Sequence, residues 1–511
     1  MHSPGGRYSF VRKFGVTILL VALFDRLFPD IVDGVGMGVF ALAWLIGLIA
    51  VRPAVRRQQA AFVALGAALL FILSLTYDPG VLAWAMFWCA LSVAALLPRT
   101  AGFDDAWRWA ARLLLHAGSG LVAPLADLHR LFYRRPRERR LTMRSVAALL
   151  AMPLVGTAIF IALFANANPL IADLLSRIRL PSIDQIWAWT IATLCVWPAM
   201  RPRALATRLA RRLPEPGLQL PGSSLPSVLI ALVLFNALFA LQNGLDIAFL
   251  WSGAALPAGT TMPDYVHRGA YPLIFTALLA GFLVLTMLRP GTASADNKPA
   301  RWLVALWVAQ NIFLVASSVL RTIEYIESYM LTAWRIAALA WMALVAVGLI
   351  LILWRMLSGR SARWLINANA LAASIVLLPC CFIDLGATAA TWNVRHAREA
   401  GGTGQSLDLC YLSSLGDAAL LPIIEMAQRP VPAELRDQLD YLREKRFNDL
   451  AKRQSDWRTW TPHGAMRLHR VQRLLDFSTP ARLPAPGERD FCGALVKKPA
   501  PALPLTATPA R

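Results

Sequence analysis

The chain has 511 residues, of which 57% are hydrophobic and 16% charged, with a mean hydropathy of +0.51 and 51 Lys+Arg against 30 Asp+Glu. Soluble domains carry about 25% charge, so the composition excludes a single water-soluble globule and equally a disordered or fibrous chain, and it points to a multi-pass membrane protein. The net charge of +21 does not indicate nucleic acid, because the basic residues fall in short stretches between apolar runs, where they set membrane orientation.

Stretches without Asp, Glu, Lys or Arg predict spanning helices at 34–51, 60–77, 79–98, 145–172, 185–200, 216–245, 269–288, 302–320, 336–354 and 364–383. Most approach the ~20 apolar residues that a bilayer core of ~30 Å requires. An earlier run, 14–24, reaches that length only by continuing through Asp25 and Arg26 to about Phe28. It follows Arg12-Lys13 like a signal peptide but lacks a small-x-small cleavage site, so it reads as an uncleaved first span. The expected fold is therefore all-α: a polytopic transmembrane helix bundle of about eleven spans occupying residues 1–384.

Between the fourth and fifth spans the basic segment 104–140 is too polar to cross. Trp107, Ala110, Ala111, Leu114 and Leu115 share one helical stripe, and Leu121, Leu125, Leu128 and Phe132 a second. Arginines fill much of the rest, which suits either an interfacial helix on anionic headgroups or a retention signal with a solvated connector. Counting Lys+Arg on alternate sides of the eleven spans gives 27 against 6. That bias predicts a cytoplasmic N-terminus and an outward-facing region after Ile383.

In the seventh span Asn236, Asn243 and Asp246 share a face, with Gln242 beside them; in the ninth, Gln310, Ser317, Arg321 and Glu324 do the same. Polar groups at membrane depth are costly. Two such stripes imply a hydrogen-bonded seam, serving either as a structural link or as a substrate or proton path. The densest polar cluster is expected at the outer face, in Asp264, Tyr265, His267, Arg268 and Tyr271 and in Arg321, Glu324, Tyr325 and Tyr329. Such groups can bind an anionic headgroup and exchange protons, or form an interfacial ion network with an aromatic belt.

After the last span, residues 385–478 carry helical stripes at Leu407/Tyr411/Leu415/Ala418 and Leu435/Leu439/Leu442/Leu450, and read as a small soluble helical domain. A Pro-rich tail, 479–511, is expected to be disordered. Cys410 and Cys492 are the two cysteines placed to meet there, as one disulfide if the region faces an oxidising compartment. The common catalytic motifs are absent. His463 and His469 stand six apart, off a shared helical face, so no metal and no cofactor is expected.

A further pattern runs through the chain: Tyr265-x-His267-Arg268-Gly269, then Arg321-x3-Tyr325-x3-Tyr329-x-Leu331-Thr332-x2-Arg335, then Asn393-Val394 and Asp408-x2-Tyr411-Leu412-x2-Leu415-Gly416-Asp417-Ala418. Ala165-Asn166-Ala167-Asn168-Pro169-Leu170 and Asp456-Trp457-Arg458-x-Trp460 belong with it. The pattern resembles a bacterial family of multi-pass inner-membrane proteins known as a domain of unknown function. The chain departs from it at Met330, where the pattern leads to Gly, and at Leu421, where a Pro is expected slightly earlier. The resemblance implies a bacterial cytoplasmic membrane protein and brings no substrate or catalytic residue.

Three functions are compatible with these residues. The first is a non-enzymatic integral protein, in contact with membrane lipids and with an envelope or signalling partner. The second is a membrane enzyme acting on a lipid-linked donor at the outer face, with Asp264, His267 or Glu324 as acid/base and Arg268 and Arg321 as anion clamps. The third is a transporter using the Asn243, Asp246 and Gln310 seam, against which the hydropathy has no inverted repeat.

Overall fold

The computed structural model describes residues 4–28, 34–100, 102–133, 181–212, 224–252, 297–402, 404–474 and 490–493, with isolated positions in 151–163 and 276–283. Among these residues every regular element is a helix. The α-helices of six residues or more begin with α1 (Pro4–Leu27), α2 (Val35–Val51), α3 (Gln59–Tyr77), α4 (Val81–Leu96), α5 (Ala106–Tyr133), α6 (Ile183–Met200) and α7 (Ala204–Arg212). Then come α8 (Leu225–Asp246, prolonged by a π-helical turn, Ile247–Trp251), α9 (Lys298–Tyr329), α10 (Ala333–Ser358) and α11 (Ala362–Cys380). The last five are α12 (Leu385–His396), α13 (Leu409–Ser414), α14 (Leu420–Ala427), α15 (Ala433–Ser455) and α16 (Pro462–Leu474).

Six of these, α3, α4 with its extension to Arg99, α8 with its π turn, α9, α10 and α11, are long and apolar enough to cross a bilayer. They coincide with the spans expected at 60–77, 79–98, 216–245, 302–320, 336–354 and 364–383. The shorter apolar α2 covers the one expected at 34–51, and α1 and α6 cover 14–28 and 185–200. The expected spans 145–172 and 269–288 lie outside the described residues except at isolated helical positions. The fold is an all-α helical bundle.

The helix starts follow local chemistry. Ser182 and Gln185 form a reciprocal capping box on α6, and the side chains of Asn297, Thr332, Ser361 and Asp384 accept first-turn N–H groups of α9, α10, α11 and α12. Gly359 ends α10 in the left-handed conformation.

The chain forms two compact units: residues 1–73, 84–104 and 108–213, and residues 74–83, 105–107 and 214–511. In the first, α1 packs against α2 and α6, and Trp44 of α2 meets Phe87 of α4 edge-on at 5.9 Å. Helices α5 and α6 touch at Gly120, where a Cβ would fall 2.8 Å from the Leu194 carbonyl oxygen, so only glycine permits that approach. Helix α5 buries Trp109, Arg112, His116, Ala123 and Asp127, and leaves Leu114, Leu121, Val122 and Leu125 61–74% exposed. Its apolar stripe thus faces outward.

In the second unit α8, α9 and α10 bury Leu232, Val304, Trp307, Met342 and Leu349 in one core. A second core joins α12 to α15 through Ala390, Val394, Leu412, Ile423, Leu439 and Leu442, and it includes Met330 from the α9–α10 turn. Asn393 of α12 holds that turn by accepting the Leu331 N–H at 2.7 Å and donating to the Leu331 carbonyl at 2.9 Å. Met330 adopts φ 67° and ψ 168°, a region that is almost restricted to glycine and costs other residues about 1–3 kcal/mol. Its side chain, 4% exposed in the core, recovers about 1.5–3 kcal/mol by burial.

Candidate functional site

The two polar stripes meet. Asn236 Nδ2 donates to the Leu303 carbonyl at 3.0 Å, Gln310 Nε2 donates to Asn236 Oδ1 at 3.3 Å, and Asn243 Nδ2 donates to the Gln310 carbonyl at 3.1 Å. Further along, Trp251 Nε1 donates to Ser317 Oγ at 3.1 Å, while Gln242 Nε2 and Arg321 both donate to Asp246 Oδ1. Asp246 is fully buried and Arg321 is 2% exposed. A charge of either sign left alone there would cost several kcal/mol, so each supplies the condition for the other's burial. Partners rise together along both helices, so α8 and α9 run parallel. Asn243 Oδ1, Gln310 Oε1 and Asn311 Oδ1 are buried without a hydrogen-bond partner among the described residues.

Helix α9 ends in the expected tyrosines. The rings of Tyr325 and Tyr329 lie 4.7 Å apart, and the Arg335 guanidinium sits 4.4 Å from the Tyr325 ring centre. Arg335 also donates to the carbonyls of Tyr329 and Met330, tying down the turn that carries Met330. Tyr411 of α13 accepts the Ala333 N–H at 2.9 Å, and burial raises its phenol pKa above the ordinary tyrosine range. Glu324 is half-buried on the same helix end. Asp264, Tyr265, His267, Arg268 and Tyr271 lie outside the described residues.

A second cluster joins parts of the chain that are remote in sequence. Asp78 follows the last turn of α3 and Asp384 caps α12 just after α11. His463 of α16 places Nδ1 3.1 Å from Asp78 Oδ2 and stacks on Tyr77 at 5.1 Å. Arg467, one turn on, donates to Asp384 Oδ2 at 2.7 Å, faces His463 Nε2 at 3.3 Å and meets Asp417 Oδ2 at 3.1 Å. Since Arg467 donates to Nε2, the hydrogen-bond network assigns the ring proton to Nδ1, directed at Asp78. Arg453 of α15 pairs with the other Asp417 oxygen at 2.7 Å.

Burial alone would raise the Asp417 carboxyl pKa, but the guanidiniums of Arg453 and Arg467 outweigh it and hold the group below its ordinary value. The ligand atoms of Asp78, Asp384 and His463 lie within 4.8 Å of one another, a spacing that suits a divalent cation. Arg467 supplies the positive charge there instead, bonded to one of the same carboxylates.

Sequence reading had singled out Asn236, Asn243, Asp246, Gln310, Arg321, Tyr325 and Tyr329, and the structure brings the first five into one seam. Asp417 enters the sequence reading only within the family pattern, and Asp78, Asp384 and Arg467 do not enter it. The signal available for Asp78 and Asp384 was their position, each a carboxylate at the end of an apolar run. Cys410 and Cys492 form the expected disulfide, with Cα atoms 5.5 Å apart.

A family model described as "Domain of unknown function (DUF4153)" matches residues 60–426. No curated protein and no solved structure matches the chain.

Two outcomes follow from this geometry. Asp246→Asn leaves the Arg321 charge buried without its counter-charge, so the full chain should lose about 3–5 kcal/mol of stability, read as a fall in membrane abundance and in thermal midpoint. Asp417 has a folded pKa below its unfolded value of about 3.9, so its stabilisation is complete above that value and disappears as pH falls through the folded pKa. Thermal unfolding of the full chain in detergent should therefore lose stability below about pH 4, and Asp417→Asn should flatten that acid limb.

Proposed function

The chain belongs to the DUF4153 family, and from that premise we propose that it is a non-enzymatic integral protein of a bacterial cytoplasmic membrane whose C-terminal helices form an outward-facing platform for an envelope or signalling partner. The observation that carries this reading is the set of anchors between those helices and the helix ends of the bundle. Asp78 at the end of α3, Leu331 and Ala333 at the α9–α10 turn, and Asp384 after α11 each bond to α12, α13 or α16. The helical region is fastened in three places, as a surface built to transmit or receive force or binding would be.

The same anchors support the expected orientation. Helix ends that touch one group of helices lie on one side of a membrane, so the α3 end, the α9–α10 turn and the α11 end share a side. Parallel packing of α8 and α9 agrees with the span expected from the sequence at 269–288. The charge count puts the C-terminal helices opposite the face rich in Lys and Arg, and the Cys410–Cys492 disulfide suits an oxidising compartment.

One observation favours the transport reading as a second possibility: Asn243 Oδ1 and Gln310 Oε1 are buried without partners among the described residues, inside the α8–α9 seam. The lipid-linked-donor reading draws less support, because Arg321 is engaged by Asp246.

A photoreactive side chain placed in intact cells at exposed Asp437 or Asn448 of α15 should yield a discrete protein adduct, while the same probe at outward-facing Leu371 of α11 should yield lipid adducts alone. Lipid adducts alone at both α15 positions would contradict the platform.

A further inference from the structure

The first unit contains a cavity of about 500 Å³ between α1 and α6, floored by α5 and lined chiefly by Phe10, Phe14, Ile18, Val21, Trp189 and Trp197. It follows one face of α1 from Phe10 to Asp25, a distance of about 22 Å at 1.5 Å per residue. The two carboxylates in its wall are already taken. Asp25 accepts the Trp189 indole N–H at 2.8 Å, and Asp127 accepts that of Trp197 at 3.1 Å and pairs with Arg201 and Arg203 at 3.2 and 3.3 Å. What faces the interior is hydrocarbon.

The end of the cavity near Phe10 is strongly positive. Arg201 holds its guanidinium 5.1 Å from the Phe10 ring centre. Arg52 is 8% exposed, and its described hydrogen bond is to the Ala95 carbonyl, 2.5 Å away. Among the described residues no carboxylate pairs with Arg52, Lys13 or Arg99. Burial and then Arg99 lower the Arg52 pKa to about 10, and burial followed by Arg52, Arg201, Arg99 and Arg12 lowers that of Lys13. Cations so crowded repel one another, and of Lys13, Arg52, Arg99 and Arg201 only Arg201 pairs with Asp127. His116, lowered to about 4 by burial and by Arg52, stays neutral at physiological pH. All four cations fall in segments that the charge count assigns to the cytoplasmic side, the side on which anionic lipid attracts basic pockets.

We propose that the first unit is a binding site for an anionic phospholipid, with the phosphate among Lys13, Arg52, Arg99 and Arg201 and one acyl chain running along α1 in the cavity. Charge and shape complement each other: an anion relieves the repulsion of the basic cluster, and the groove beside it is apolar for about 22 Å. The site lies wholly within the first unit and does not depend on the role of the C-terminal helices.

The test is retention of lipid by the full chain, purified in neutral detergent, titrated with phosphatidylglycerol or phosphatidylcholine and counted by native mass spectrometry. Phosphatidylglycerol should bind at one per chain, about tenfold more tightly than phosphatidylcholine. Lys13→Gln and Arg99→Gln, each on a partly or fully exposed side chain, should each weaken it about fivefold. Ala22→Phe, which narrows the cavity and leaves every charge in place, should also reduce retention. Equal retention of the two lipids would overturn the proposal. So would displacement of phosphatidylglycerol by inorganic phosphate with no effect of Ala22→Phe, which would indicate a free-anion site.

Discussion

A charge removed from water must be met by another, and in this chain that requirement bears on both compact units. Asp246 and Arg321 are all but sealed from solvent, and their contact joins α8 to α9 beside the bonds of Asn236, Asn243 and Trp251. Neither residue is tolerable alone at that depth.

The same rule operates at the far ends of the helices with less burial and more partners. Arg467 joins Asp384 to Asp417, and His463 reaches Asp78. Pairs that are partly exposed are individually modest in energy. Their effect here is geometric: they bind three separated helix ends to one helical layer, and Asn393 and Tyr411 add backbone hydrogen bonds to the same assembly. At the basic end of the first unit the rule stands only half met, with Arg52, Lys13 and Arg99 lacking carboxylate partners among the described residues. That imbalance is why a lipid phosphate is the natural complement.

Much of this was legible in the chain because membranes impose simple periodicities. Apolar runs located α3, α4, α8, α9, α10 and α11, and polar residues three and seven apart marked the seam before any partner was known. Met330 is more telling. Gly is the residue expected at that position, and the backbone there takes φ 67°, a conformation glycine adopts freely; the buried Met side chain offsets the cost. What the sequence concealed was long-range pairing. Asp78 and His463 are 385 positions apart, and no local spacing relates them. His463 invited comparison with His469, whereas its partners come from α3 and from Arg467. The basic cluster around Arg52 was visible only as loop charge, since its convergence depends on how α1, α2, α4 and α6 pack.

The most direct test of the account is the state of Cys410 and Cys492 in intact cells, read as the gel shift produced by a thiol-reactive polyethylene glycol after acid quenching and denaturation, with Cys89, Cys195, Cys380 and Cys381 replaced by Ser. An outward-facing platform predicts no shift before reduction and a shift of two adducts after it. Two adducts without reduction would mean that both thiols are free, which would place the helices in a reducing compartment and contradict the proposed orientation.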